Sequence, residues 1–476
     1  METRRPHAFL RERLISLLGR GGPASPSDLA RQLGISQPTF WRLASSLRGQ
    51  VLAFGQSRAR RYALAREIPG VRQPIPVYEI RPAGRKPRHF GDLVAIGERG
   101  FHMEAEGSGS DFEDLPWFLQ NLRPSGTLGR WVPVRHPELG LPEDIRLWTA
   151  DHVMRFATRY GWDMPGAFLV GDEAFSRFLD QVDHPANLVD TAGRATRYPA
   201  IAEDLLSFGT AGSSAAGEQP KFLATRDDGD RRTPVLVKFS PPTGEAGGRR
   251  VADLLVAEQA ALAILGKFGF PVPAAAILAG GDRVFLEVER FDRDGIAHRS
   301  GQVALEFLDA EFVGTGSVGW TASVEALAAK GVVPRGEVTR VRWLETFGRW
   351  IGNTDMHFGN LAFRMEGVCV TTLVPVHDML PMYYHPRQGE LPRGDPVLPP
   401  PGSAVADVAG SVLEAAAEFW EGLADDPRLS GAFREIAIRN RARMEGLRSR
   451  VQHLPIAASP GDNVGDPGAL PGRGSG

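Results

Sequence analysis

The chain has 476 residues, 42% of them hydrophobic and 24% charged, with a net charge of −2. That length predicts about two to four domains with ample core, and the composition is that of a soluble globular protein. The near-neutral total excludes a polyanion binder working through its whole surface.

The charge is uneven, however. Residues 1–66 hold twelve Arg, no Lys and only three acids (Glu2, Glu12 and Asp28), a net of +9 that leaves −11 for the remainder. A basic nucleic-acid module on an acidic body is expected. Cys369 is the only cysteine, so no intramolecular disulfide can form, and its place in an apolar strand predicts a packed thiol. The first residues lead into no apolar leader, and no apolar run reaches transmembrane length, so a cytoplasmic, non-membrane protein is the default.

In chain order, residues 10–65 predict three short helices and a hairpin. Leu10, Leu14, Leu17 and Leu18 make the first helical stripe, and Gly21-Gly22-Pro23 ends it. Ser25 or Ser27 caps a second helix, Gly34 turns the chain, and Ser36 caps a third over 37–47 with Pro38 in its first turn. Strands 51–54 and 61–64 flank an Arg-containing loop. Helix, turn, helix and hairpin together resemble a winged helix-turn-helix. In that arrangement the third helix enters the major groove and offers Gln37, Thr39, Arg42 and Ser45, while Arg58, Arg60 and Arg61 on the wing lie near phosphates. A small helical interaction domain with a solvated basic face fits the same pattern.

Residues 67–76, with three prolines, read as a linker. Strands are expected at 77–80, 93–96 and 100–103, a mobile acidic loop at 104–114, and a helix at 144–160. Trp117, Trp131, Trp148 and Trp162 read as core. From residue 208 the pattern turns chemical. The small-residue loop 209–221 can fold over phosphates with its amides inward, or serve as a flexible connector. Lys238 ends an apolar strand, where a buried ammonium needs an anion such as a nucleotide phosphate, although an exposed strand end would also hold a Lys. Glu258, on a helix over 251–268, either pairs with Lys238 or is a surface charge. The strand 284–293 can offer backbone groups to adenine.

A helix over 341–351 leads into Gly352-Asn-Thr-Asp-Met-His-Phe-Gly-Asn360. Two short strands joined by Glu366-Gly367 follow, and then Val376-His-Asp-Met-Leu-Pro381. The order suits phosphoryl transfer. Asp355 can accept the proton of an attacking hydroxyl, Asn360 offers an oxygen to a metal, and Asp378 holds that metal on phosphates. Turn-capping by the same Asp and Asn is the alternative. Residues 404–453 read as helical, and 455–476 as a disordered tail.

These stretches resemble a known family. Ser214-Ala-Ala-Gly-Glu-Gln-Pro-Lys221, Val-Lys238, Val288-Glu-Arg-Phe-Asp-Arg293, the 352–360 loop and Pro375-x-x-Asp378 look like the HipA serine/threonine kinases. Leu115-Pro-x-Phe-x-x-Asn-Leu-x-Pro-x-Gly126 is similar to that family's N-terminal subdomain. A helix-turn-helix fused in front resembles the YjjJ-type members. The resemblance implies an α+β, two-lobed protein-kinase-like fold behind the winged helix-turn-helix. It divides the chain into 1–66, the linker 67–76, an N-terminal subdomain over 77–200, an N-lobe over 201–300, a helical C-lobe over 301–454 and the tail 455–476.

It implies ATP and Mg²⁺ as cofactors, with Asp355 as proton acceptor and Asn360 and Asp378 as metal ligands. Ala216, Gly217, Glu218, Gln219, Pro220 and Lys221 would form the phosphate loop, and Lys238 would bind phosphate. Glu289, Arg290 and Phe291 would form the adenine hinge, with His357 close to the nucleotide. Ser214 would be the autophosphorylated serine. The implied partners are a cytosolic protein of translation, such as an aminoacyl-tRNA synthetase, DNA through residues 1–66, and a second copy of the chain. One departure stands out: the family's usual Lys before the metal-binding Asn is Gly359 here. Two alternatives stand beside this: a transcriptional regulator with a ligand-sensing body, which Gly359 and the fused basic module favour and the retained Asp355, Asn360 and Asp378 oppose, and a small-molecule phosphotransferase, which would use the same catalytic residues.

Overall fold

The computed structural model of the chain describes residues 7–56, 59–207, 219–316 and 318–454. It opens with helices α1 (His7–Gly21), α2 (Pro26–Leu33) and α3 (Gln37–Ser46), then the antiparallel pair β1 (Val51–Phe54) and β2 (Arg61–Leu64). Local chemistry sets the bounds of α2. The Ser25 hydroxyl accepts the Asp28 N–H at 3.1 Å, Pro26 starts the helix, and Gly34 ends it in the left-handed conformation at φ +67°. One core holds this unit together: Leu10, Leu14 and Leu18 meet Leu29, Leu33, Phe40, Leu43 and Tyr62. Each such buried side chain contributes about 1.5–3 kcal/mol.

The middle of the chain contains β3 (Ile75–Glu79), β4 (Arg88–Ile96), β5 (Gly100–Ala105), β6 (Ser108–Phe112), α4 (Gly126–Arg130), α5 (Val132–Arg135), α6 (Ala150–Tyr160), β7 (Phe168–Val170) and α7 (Asp172–Asp183). Its sheet is antiparallel in the order β6-β5-β4-β3-β7. The stretch 104–114, expected to be a loop, instead completes the β5–β6 hairpin, because Glu106-Gly107 supplies a tight turn with both residues at positive φ. The helix expected from 144 begins at Ala150, where Thr149 caps it. Residues 67–76 lie against this sheet: Ile68 and Ile75 are buried, and the Gln73 side chain bridges the Arg66 carbonyl and the Ala95 N–H at 2.6 and 2.7 Å. The first unit leans on the same sheet. The Phe54 ring stacks on His102 at 3.6 Å, and Arg61 pairs with Asp111 at 2.9 Å.

A second sheet follows. Its setting is β8 (Leu188–Asp190), α8 (Arg194–Ser207), β9 (Lys221–Asp227), β10 (Arg232–Phe239), α9 (Ala246–Lys267), β11 (Ala275–Gly280) and β12 (Arg283–Glu289), with sheet order β11-β12-β10-β9-β8. Strand alternation decides what each face sees. Val235, Val237 and Phe239 pack with Tyr198, Ala202 and Leu205 of α8, so Lys238 must face the other side, toward α9. The small pair β13 (Arg293–Asp294) and β14 (His298–Arg299) leads into β15 (Gly301–Ala304).

The remainder is mainly helical: α10 (Leu305–Leu308), α11 (Trp320–Ala329), α12 (Gly336–Ile351), β16 (Ala362–Glu366), β17 (Cys369–Leu373), α13 (Ala406–Asp425) and α14 (Gly431–Gln452). Trp343, Phe347, Trp350, Phe419 and Trp420 fill its core. Tyr384 is fully buried. Its hydroxyl donates to Asp395 at 2.8 Å and accepts from Asn440 at 2.6 Å, which ties the proline-rich segment to α14. Cys369 was expected to be packed and is exposed instead, because it opens the outer strand of the β15-β16-β17 sheet beside the turn. Among the described residues, no helix is long and apolar enough to cross a membrane.

Candidate active site

Lys238 is 4% exposed, and its ammonium lies between two carboxylates. It donates to Glu258 of α9 at 2.5 Å and forms a short ion pair with Asp378. Glu258 is itself 2% exposed. Burial pulls the Lys238 pKa down, and the charges of Asp378 and Glu258 more than reverse the effect, so the ammonium stays protonated. Burial likewise raises the Asp378 carboxyl, but Lys238, then Lys221 and His377, hold it far below the usual carboxylate range. For Glu258 the balance differs: burial comes first and the net direction is upward. Asp378 is therefore the partner held firmly as an anion.

Lys221 stands directly opposite Lys238 across β9 and β10. Residues paired in this way project from the same face about 5 Å apart, so two cations lie side by side and both act on Asp378. Beside them, the Gln219 side chain donates to the Phe239 carbonyl, and the Phe239 N–H donates to the Pro220 carbonyl at 3.1 Å.

The loop after α12 begins at Gly352, whose φ of +81° closes the helix. Hydrogen bonds then lock it. The Asp355 N–H donates to the Asn353 side-chain oxygen at 3.0 Å, and the Asn360 amide nitrogen donates to the Asp355 carbonyl at 2.8 Å. Asn353 also donates to the Asp378 carbonyl at 3.4 Å, so the loop is bonded to the second acidic position. Asp378 has φ +53°, an uncommon conformation that Asp tolerates better than most residues. The Asp355 side chain is left exposed.

Gly348 of α12 lies beneath both acidic positions. A Cβ there would sit 2.7 Å from the Met356 sulfur and 3.2 Å from the Met379 sulfur. His357 accepts the Gly359 N–H at its Nδ1 at 3.1 Å, and its carbonyl accepts the Trp320 indole N–H at 3.1 Å. A Cβ at Gly359 would meet the His357 ring at 2.9 Å, so the ring occupies the space a longer side chain would need. Glu306 lies nearby. Burial raises its carboxyl, and the His357 charge opposes that in part.

The segment read as a hinge has its side chains committed elsewhere. Glu289 pairs with Arg226 at 2.7 Å. Arg290 is drawn into a buried cluster with Asp163 at 2.5 Å and Asp292 at 3.1 Å, and its N–H donates to the Pro234 carbonyl at 3.0 Å. The Phe291 ring lies 5.3 Å from His377, beside Asp378. Ser214, Ala216, Gly217 and Glu218 fall outside the described residues, as does Arg58.

In the first unit, Gln37, Arg42 and Ser45 are exposed on α3 and Thr39 is half-buried. Arg60 is exposed; Arg61 is bonded to the Pro23 carbonyl at 2.6 Å as well as to Asp111. Sequence reasoning passed over Asn353, Gly348, Met356, Met379 and Trp41. For Asn353 there was a signal: an Asn two residues before Asp355 predicts this side-chain-to-backbone turn.

The donors at Asn360 and Asp378 suit magnesium. Both offer oxygen, Asp378 is held as an anion, and the Asn360 nitrogen is spent on Asp355, which orients the amide. Among the described residues, no group of three or more His, Cys, Asp or Glu could hold a metal by itself. A hard cation completed by phosphate oxygens and water fits such a sparse donor set.

Two family models match the chain: "YjjJ-like toxin, middle domain" over residues 71–179 and "HipA-like C-terminal domain" over 213–431. Toxin YjjJ of Escherichia coli (strain K12) is 37% identical over 422 residues, spanning 87% of this chain and 94% of that protein. Among solved structures, HipA from the Shewanella oneidensis MR-1 toxin–antitoxin complex with HipB and its operator DNA superposes with a TM-score of 0.50 at 14% identity. That match covers 78% of this chain and 97% of the other, a likeness of fold that makes the α+β architecture HipA-like and kinase-like. The chain belongs to the HipA-like toxins, in the YjjJ-like group.

Proposed function

We propose that this toxin is an ATP- and Mg²⁺-dependent serine/threonine protein kinase that phosphorylates a protein of translation and its own Ser214, and that binds DNA through residues 1–66. The observation that carries the kinase reading is Lys238 held between Glu258 and Asp378, with Asn353 bonding Asp378 to the Asp355 loop. In this reading Lys238 and Lys221 draw nucleotide phosphates to the cleft. Asp355 points its free carboxylate at the incoming hydroxyl and takes its proton, while Asn353 and Asn360 hold the backbone that aims it. Asn360 and Asp378 would hold magnesium, which supplies positive charge against phosphate oxygens when bound. Phe291 and the backbone of 289–291 border the adenine side, and His357 borders the phosphates.

Incubating the full chain with labelled ATP and Mg²⁺, then mapping phosphosites, tests this. Phosphoserine at Ser214 or on an added protein, lost in Asp355→Asn, is expected. Nucleotide binding with no transfer would overturn it in favour of a ligand-sensing regulator. Gly359 gives that second reading its footing, since the usual cation beside Asn360 is missing. Screening small hydroxyl compounds in the same assay separates a small-molecule phosphotransferase.

For DNA, support comes from the net +9 of residues 1–66 and from α3, which carries no acid and turns Gln37, Arg42 and Ser45 outward. Two copies on two half-sites suit such a module. The attached module would place the kinase at its operator, whether or not a separate antitoxin joins it.

A further inference from the structure

We infer that Trp41 is the apolar base-reading contact of α3, lying against the 5-methyl group of a thymine in the major groove. The inference rests on the DNA-binding reading above. Nine tryptophans occur in the chain, and Trp41 alone is exposed, at 49%. The α3 residues Phe40, Leu43 and Ala44 are buried in the unit's own core, so the helix has no spare apolar face except this one. Gln37, Trp41 and Ser45 are spaced one turn apart and project in one line, with Pro38 and Arg42 alongside; all five are exposed.

A large indole half in water at the centre of a helix face is an unpartnered contact. Charge decides the kind of partner. No acid lies on α3, Arg42 and Arg48 are exposed beside it, and the unit carries +9 against a body of −11. That surface fits a densely charged polyanion better than a second copy of a chain whose net charge is −2 and which brings its own +9 unit. Within a major groove, the thymine methyl is the apolar feature an indole can cover, while Gln37, Arg42 and Ser45 bond to base edges and phosphates around it.

The full chain is first used to select duplexes from a random pool. Each thymine of the selected site is then replaced singly by deoxyuridine, which deletes only the methyl group. We expect one position per half-site to weaken wild-type binding by about threefold to tenfold. That loss should be absent in Trp41→Ala, which keeps a comparable salt dependence because the arginines remain. The same uracil profile for wild type and Trp41→Ala would overturn the inference while leaving DNA binding intact. A wild-type chain that selects no sequence would overturn both, and a Trp41→Ala chain altered only in oligomeric state would assign the indole to a contact between copies.

Discussion

Lys238 offers three donors, and two of them are already committed to carboxylates in a site almost closed to water. Removing it leaves both Glu258 and Asp378 without their cation, which for a buried pair costs about 3–5 kcal/mol. Lys238→Met should therefore lower the unfolding midpoint and abolish phosphate transfer. Adding Glu258→Gln should recover part of the stability and none of the transfer. Equal loss of stability in the single and double variants, by thermal or urea unfolding, would contradict the pairing. At this scale the sequence was informative where the residues sit close together. Asp355 and Asn360 share one loop, where the Asn360 amide bonds the Asp355 carbonyl, and their spacing alone fitted either a catalytic loop or a capped turn. Glu258 was readable only as one of two alternatives, because its helix sets a face but not a partner. Arg290 was read toward a nucleotide, yet its partner Asp163 lies 127 positions away and no local pattern reports it.

Helix α12 positions the loop 352–360 and the Asp378 segment through a glycine. Both methionine sulfurs occupy the space a Cβ at position 348 would need. Gly348→Ala should force Met356 and Met379 apart and cost about 1–3 kcal/mol through overpacking. Transfer should fall more than stability alone explains, because Asp355 and Asp378 are the neighbours of the displaced residues. An alanine variant with wild-type turnover would show that the two segments are not held in register there. Element types and order were largely legible, since the apolar periods of β10, α9 and α12 are unambiguous. The β5–β6 hairpin was missed because its acidic, Gly/Ser-rich composition resembles a loop and pairing comes from β4 alongside. Cys369 was misjudged because an outer strand and a covered one share the same apolar spelling.

Across the whole molecule, the join between the middle sheet and the second sheet rests on buried charge. Arg290 and Arg293 meet Asp163 and Asp292, while Arg299 donates to the Trp162 carbonyl and lies 4.8 Å over the Phe178 ring. Burial raises the Asp292 carboxyl, and Arg290 and Arg293 outweigh it, leaving its pKa far below the usual range. A depressed carboxyl contributes stability that is fully present above its unfolded value of about 3.9 and lost as pH falls toward the folded value. Asp292→Asn should thus lower the unfolding midpoint strongly at pH 7, with the gap to wild type narrowing only below about pH 4. A gap that already closes between pH 5 and 7 would contradict this. No composition or spacing foretold the cluster, since it exists only once two sheets dock.

The most direct measurement is a crystal structure of the full chain with a non-hydrolysable ATP analogue and Mn²⁺, located by its anomalous signal. The predicted result is one cation at about 2.1 Å from both Asn360 and Asp378, phosphate oxygens on Lys238, and the Asp355 carboxylate open toward the terminal phosphate. A cation bound away from these residues, or a nucleotide seated outside the Lys238 cleft, would contradict the account.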